Sequence, residues 1–271
     1  MIVEFIGGLW TKSLALLADS GHMLSDATSL LLSFIAITIA ARPPSPNKTF
    51  GYYRFEMMAA LFNGVTLFVI AGWIIYEAIG RFADPPTVAS GSMILIATIG
   101  LLANLGSATI LLRQGDVEGN LNMKSAYVHV LGDLLGSIGA ILAGVVMYFF
   151  DWYLADPIIS IVVALLILKS AWGVFSQSVH VLMEGTPQTI DAEDVLDTLG
   201  SIDGVTKVHD LHIWTITSGL DMLTCHIVVR EDVDEQVVLQ EAIDRIRETY
   251  KIEHTTIQVE KPDLRHTEFL I

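Results

Sequence analysis

The segment that decides the fold reads Leu14-Ala15-Leu16-Leu17-Ala18-Asp19-Ser20-Gly21-His22-Met23-Leu24-Ser25-Asp26, the opening half of an apolar run that continues to residue 40. A bilayer core about 30 Å thick takes about 20 apolar residues of helix, so this run is long enough to cross. Inside it His22 and Asp26 stand four apart, one turn along the same helix face. The spacing returns at His129 and Asp133 within a second apolar run. An ionised Asp near the bilayer centre costs about 2.5–3.5 kcal/mol on insertion scales. Two His–Asp pairs at matched spacing therefore predict a common purpose, four groups converging on one point. Two imidazoles and two carboxylates suit tetrahedral Zn²⁺, with cobalt or cadmium as competitors, whereas Mn²⁺ or Mg²⁺ would prefer more oxygens. The alternative is that each His bonds only its own Asp, or that the residues sit in water at helix ends.

Four further segments have the length and apolarity of spans: 58–80, 91–112, 124–149 and 155–180. The breaks between them carry Arg42-Pro43-Pro44-Ser45-Pro46-Asn47, Asp84-Pro85-Pro86, Gln114-Gly115-Asp116 and the stretch from Asp151 to Pro157. Residues 1–9 read as the last turns of a helix ending at Gly7-Gly8, too short to span, so the first span is expected to be truncated or absent. No basic region or small-residue cleavage site precedes the first apolar stretch, and insertion is expected to rely on the spans themselves. Arg42, Lys48 and Arg54 follow the 14–40 span and Arg113 and Lys124 the 91–112 span, against Lys12 and Arg81 on the other side. The bias of basic residues toward cytoplasmic loops places the first group, and the C-terminal part, in the cytoplasm.

Composition agrees. The chain of 271 residues is 52% hydrophobic and 17% charged, with mean hydropathy +0.57, a membrane composition. Of its 15 basic and 30 acidic residues, 7 and 19 lie from Glu184 onward. That acidic, water-facing third excludes a nucleic-acid partner and is compatible with handling cations. The single Cys225 excludes an internal disulfide and a multi-thiolate zinc site. We divide the chain into a transmembrane part, 1–183, and a cytoplasmic part, 184–271. In the latter, 191–199 reads as a short helix, 205–216 and 223–229 as strands, 235–250 as an amphipathic helix and 255–259 as a final strand. One sheet with helices on one face is expected.

Histidines recur in this domain. His209 and His226 fall on or beside adjacent strands, and His254 and Glu260 flank the last, so the sheet is able to gather them as a second metal site; scattered surface histidines are the alternative. Strand alternation puts His212 on the face opposite His209. Asp19 extends the His22 face as a helix-end or vestibule residue. Arg54 either pairs with Glu184 or is a solvated charge, and Asn63 and Asn104 are read as interhelical hydrogen-bonding residues.

These stretches, with Phe50-Gly51-Tyr52-Tyr53-Arg54-Phe55-Glu56, His129-Val130-Leu131-Gly132-Asp133 and His209-Asp210-Leu211-His212-Ile213-Trp214, resemble the cation diffusion facilitator family, in its zinc, cadmium and cobalt efflux branch. The motifs occur in order along essentially the whole chain. The resemblance implies an α-helical multi-pass membrane bundle of six spans, here with the first truncated, followed by a small cytoplasmic α+β domain of metallochaperone-like fold. It also implies a homodimer working in the lipid bilayer by alternating access and proton antiport, with His22, Asp26, His129 and Asp133 as the transport site. Family cytoplasmic sites map most closely onto His209, His226, His254 and Glu260. The extra site that some members carry between the second and third spans has no histidine or acid here in Asn47-Lys48-Thr49-Phe50-Gly51-Tyr52. The 113–124 loop lacks the histidine-rich tract of many eukaryotic relatives, which favours a bacterial inner membrane. Neither the His-Glu-x-x-His of a zinc hydrolase nor a Gly-rich phosphate loop is present, so no enzyme activity and no nucleotide cofactor are expected.

Overall fold

A computed structural model describes residues 1–114 and 121–262, except the side chains of residues 111, 113–114, 121–126 and 128–129. The element order is α1 (Ile2–Thr11), α2 (Leu14–Ala40), α3 (Phe55–Ala83), α4 (Ser90–Gln114), α5 (Leu121–Phe150), α6 (Ala155–Leu182), α7 (Ala192–Gly200), β1 (Val205–Thr217), β2 (Leu220–Val229), α8 (Glu235–Tyr250) and β3 (His254–Glu260). Among the described residues five helices, α2 to α6, have the length and apolarity to cross a membrane. By compactness the chain forms two units, Met1–Leu32 with Phe62–Phe175, and Ser33–Leu61 with Ser176–Ile271. Each is described by itself.

In the first unit α2 is packed on two sides. Leu14 and Ala18 join Leu67, Ala71, Ile74 and Ala78 of α3 and Val163, Ala164, Ile167 and Ala171 of α6 in one cluster. Ala15 and Leu16 join Met93, Ile96 and Ala97 of α4 and Ala140, Ala143 and Met147 of α5 in another. Alanines recur because helices in lipid gain from close backbone approach rather than from excluding water. Large apolar side chains such as Leu30, Val69, Trp73 and Leu142 are exposed, as expected of helices with the length and apolarity of spans.

The expected end of α1 at Gly7-Gly8 is corrected. The helix continues to Thr11 and stops at Lys12, whose φ of 61° is left-handed. The glycines serve close approach instead. A Cβ on Gly7 would lie 2.5 Å from Ile96 of α4, and one on Gly8 would lie 2.9 Å from the Leu17 side chain and 3.0 Å from its backbone nitrogen.

In the second unit β1, β2 and β3 form a sheet in that order, β1 antiparallel to β2 and β2 parallel to β3. Leu223, Cys225, Ile227 and Val229 alternate along β2 and pack against Val195 and Leu199 of α7 and Val238, Ala242 and Ile246 of α8. The helices thus cover one face, and the other carries the intervening residues of β2, His226 among them. Asp191 and Asp234 cap α7 and α8 by accepting from the backbone N–H two residues on, as N-caps do. Also within this unit, Arg54 and Glu184 pair at 2.8 Å, and the Thr217 hydroxyl donates to Glu56.

Candidate metal centres

The first centre lies in the first unit, among side chains of α2 and α5. His22 Nε2 is 3.8 Å from Asp26 Oδ2 and 3.9 Å from Asp133 Oδ1. One donor atom from each residue falls within 4.8 Å of the others. Ligands held about 2.0–2.2 Å from a tetrahedral zinc are themselves about 3.3–3.6 Å apart, so the two separations from His22 stand within a few tenths of an ångström of a coordinating arrangement. The i,i+4 spacing brings His22 and Asp26 together on α2, and Asp133 comes from a helix more than a hundred residues on. His129 stands one turn before Asp133 on α5, but its side chain lies outside the described residues.

The centre opens on a cavity of about 420 Å³ lined by Asp19, His22, Gly132, Asp133, Gly136 and, from α6, Val163, Leu166, Ile167 and Ser170. The side chains of His22, Asp26 and Asp133 keep 11–27% of their surface accessible, half-buried rather than sealed. Asp19 lies within α2 rather than at its end and, although it lines the cavity, is only 3% exposed. The Ser137 hydroxyl donates to its Oδ2 at 3.3 Å, and a Cβ on Gly136 would lie 2.9 Å from its Oδ1. Of the two asparagines, Asn63 accepts from the Ser25 hydroxyl at 3.1 Å across α2 and α3. Asn104 is buried with no hydrogen bond for its Nδ2 among the described residues.

The second centre lies on the open face of the sheet. His226 Nδ1 is 2.6 Å from Glu260 Oε1, His209 Nε2 is 3.6 Å from Glu260 Oε2, and the two imidazoles are 5.2 Å apart between ring centres. The register explains the gathering: His209 pairs across with His226, and β3 runs parallel to β2 with Glu260 opposite Val228. Glu260 is 4% exposed and also accepts from Gln258 at 3.0 Å.

Two expectations fail here for physical reasons. His254 begins β3 and is paired with Met222, six residues from Glu260. At about 3.3 Å per residue that is roughly 20 Å away, so the sheet does not gather it with the other three. His212 does not face away from His209. A β-bulge between them shifts the register from His209↔His226 to His212↔Thr224, and the extra residue restores His212 to the face of His209. Within the bulge Asp210 takes a left-handed φ of 54°, which Asp tolerates better than most residues. Its carboxylate reaches His212 Nε2 at 3.1 Å and His226 Nε2 at 3.8 Å. Sequence reasoning missed Asp210; its place between two histidines was the available signal.

Apolar spans that carry a cluster of imidazole and carboxylate groups in the membrane, joined to a cytoplasmic sheet domain with another, define a multi-span membrane protein built around cations. Residues 1–183 match the family description "Cation efflux transmembrane domain" and residues 187–262 "Cation efflux protein, cytoplasmic domain". The chain belongs to the cation efflux family, the cation diffusion facilitators, in its zinc, cadmium and cobalt branch; this is a family of transporters, not of enzymes. It is 49% identical to the cadmium, cobalt and zinc/H(+)-K(+) antiporter of Bacillus subtilis over 98% of this chain and 86% of that protein. It is 44% identical to the zinc transporter ZitB of Pectobacterium atrosepticum over 96% and 81%. A solved structure of the metal-bound C-terminal domain of the CzcD transporter from Cupriavidus metallidurans is 38% identical, covering 26% of this chain and 99% of that one, with a TM-score of 0.26.

Proposed function

We propose that this chain exports a divalent transition-metal ion, Zn²⁺ foremost with Cd²⁺ and Co²⁺ as competitors, in exchange for protons, as a homodimer working by alternating access. The transported ion is held by His22, Asp26, His129 and Asp133. The observation that carries the reading is the approach of His22, Asp26 and Asp133 donor atoms to within 4.8 Å of one another in apolar spans. His129 completes the set by its position one turn from Asp133. The printed names of relatives add support, since one reads as an antiporter of cadmium, cobalt and zinc and another as a zinc transporter.

Chemistry supplies the exchange. Metal binds neutral imidazole and ionised carboxylate, so protons and metal compete for the same lone pairs. A proton gradient then drives export without a nucleotide. The homodimer reading is supported by the match of residues 187–262 to the family's cytoplasmic domain, called ZT_dimer. The boundary between membrane and cytoplasmic parts is placed at 183/184.

The cytoplasmic cluster of His209, His226 and Glu260 is a second metal site on the same argument of donor proximity, with Asp210 beside the His226 imidazole. It lies outside the spans and is read as regulatory. Zinc flux in proteoliposomes under an imposed pH gradient tests the transport reading. Gradient-driven uptake that His22→Ala or Asp133→Ala abolishes is expected; uptake indifferent to the gradient, or normal in those variants, refutes it.

A further inference from the structure

We propose that Asp156 is a positioning residue for metal binding, a cross-helix cap that sets the ligand-bearing helix α2 against α6. Asp156 sits in the first turn of α6 and is 1% exposed. Its Oδ1 accepts from the Ser13 hydroxyl at 2.7 Å and from Ala15 N–H at 3.2 Å. Its Oδ2 accepts from Leu14 N–H at 2.7 Å and from Arg81 Nη1 at 3.4 Å. The Ser13 hydroxyl oxygen accepts in turn from Leu16 N–H at 3.3 Å. The first three N–H groups of α2, which no turn of its own can satisfy, are thereby all bonded.

The arrangement does more than cap. Ser13 stands where a local N-cap belongs, and a Ser at that position ordinarily serves alone. Here the carboxylate comes from 142 residues away, which converts a local device into a distance constraint between two spans. Arg81 of α3 extends it, donating to the Lys12 carbonyl at 2.6 Å and to Glu77 at 3.1 Å. The turn between α1 and α2 and the starts of α2 and α6 thus meet, with the end of α3, at one buried carboxylate. A negative charge at a helix N-terminus is itself favoured by the helix dipole.

The constraint bears on metal because the same two helices carry ligands and cavity wall further along. His22 lies eight residues beyond Leu14, about 12 Å up a rigid helix at 1.5 Å per residue. On α6, Val163, Leu166, Ile167 and Ser170 wall the cavity onto which His22 and Asp133 open. A slip of α2 by one residue rotates its side chains by about 100° and turns His22 and Asp26 away from Asp133. Fixing where α2 begins against α6 fixes that rotation.

This inference rests on the reading of His22, Asp26 and Asp133 as metal ligands, and its test separates the two. Zinc affinity is measured by calorimetry on the full chain in detergent, in a His209→Ala/His226→Ala background that silences the cytoplasmic cluster. His22→Ala in that background tests the ligand reading alone: retained zinc binding defeats that reading and the inference with it. Asp156→Ala is expected to weaken zinc binding about tenfold, no more than the low end of what removing a ligand's own hydrogen-bond partner costs. Ser13→Asp added to Asp156→Ala restores a carboxylate cap from α2 itself but no tie to α6, and the weakened affinity is expected to persist while thermal stability recovers. Wild-type affinity in Asp156→Ala, or its full return in the double variant, overturns the inference. If Asp156→Ala does not fold, the isosteric Asp156→Asn is read the same way against its Ser13→Asp partner.

Discussion

Ser25 donates its hydroxyl hydrogen to Asn63 Oδ1 at 3.1 Å, joining α2 and α3 at the residue immediately before Asp26. Both residues are buried, so the bond holds the turn of α2 that carries Asp26 where water does not compete. Interhelical hydrogen bonds in membranes average about 0.6 kcal/mol, and an orphaned Ser25 adds to that. Asn63→Ala is expected to lower stability by about 1 kcal/mol and to weaken zinc binding several-fold. Thermal unfolding in detergent and calorimetric zinc titration check the two effects.

The α1–α2 crossing predicts a contrast between two glycines. Gly8→Ala places a methyl 3.0 Å from the backbone nitrogen of Leu17, whereas a Cβ on Gly72 meets nothing within 4 Å. The first change is expected to destabilise by about 1–3 kcal/mol through forced backbone shifts. The second should be neutral or stabilising by up to about 1 kcal/mol, since alanine favours helix over glycine. Equal melting temperatures for the two variants would refute the packing account of Gly8.

Cys225 is 1% exposed in the cytoplasmic core, and burial pushes its thiol up to about 12. Its reactive thiolate is therefore withheld at pH 8, and alkylation by iodoacetamide should be slow until the domain unfolds, as mass spectrometry would read. A pKa raised on folding stabilises fully below the unfolded value, near 9, and that contribution is lost as pH climbs toward 12. Cys225→Ser, which lacks this ionisation, should show less alkaline destabilisation between those limits than the parent.

Asp210 allows its charge to be separated from its backbone shape. Its φ of 54° suits glycine, so Asp210→Gly removes the carboxylate while keeping the bulge. Removing a partner that orients a ligating imidazole costs about 10–100-fold in metal affinity. Asp210→Gly should show a loss of that order at the cytoplasmic site, read by zinc titration in a His22→Ala background, without a fall in thermal stability. Asp210→Ala should add destabilisation, because its Cβ disfavours the left-handed region.

The spans were legible because length and apolarity suffice to specify a helix in lipid, and α2 begins and ends where the run from Leu14 to Ala40 does. His22, Asp26 and Asp133 were legible through the four-residue repeat. What one sequence hides is which of two uses a residue serves. Gly7 and Gly8 read as a helix stop because a terminating glycine and a close-packing glycine look alike until Ile96 and Leu17 are seen against them. His212 was put on the wrong face because alternation holds only along an unbulged strand. Asp19 gave no sign of its burial, which depends on Ser137 and Gly136 of another helix. The bond from Asp156 to the start of α2 was beyond reach for the same reason, as nothing local marks a partner 142 residues distant.

The parallel pairing of β3 with β2 has a consequence for biosynthesis. His209 and His226 emerge on neighbouring strands joined by a short turn, but Glu260 arrives only with the strand after α8. A nascent chain halted after α8 presents both imidazoles and Asp210 but lacks Glu260. The three donors of the cytoplasmic cluster come together only once β3 has paired with β2.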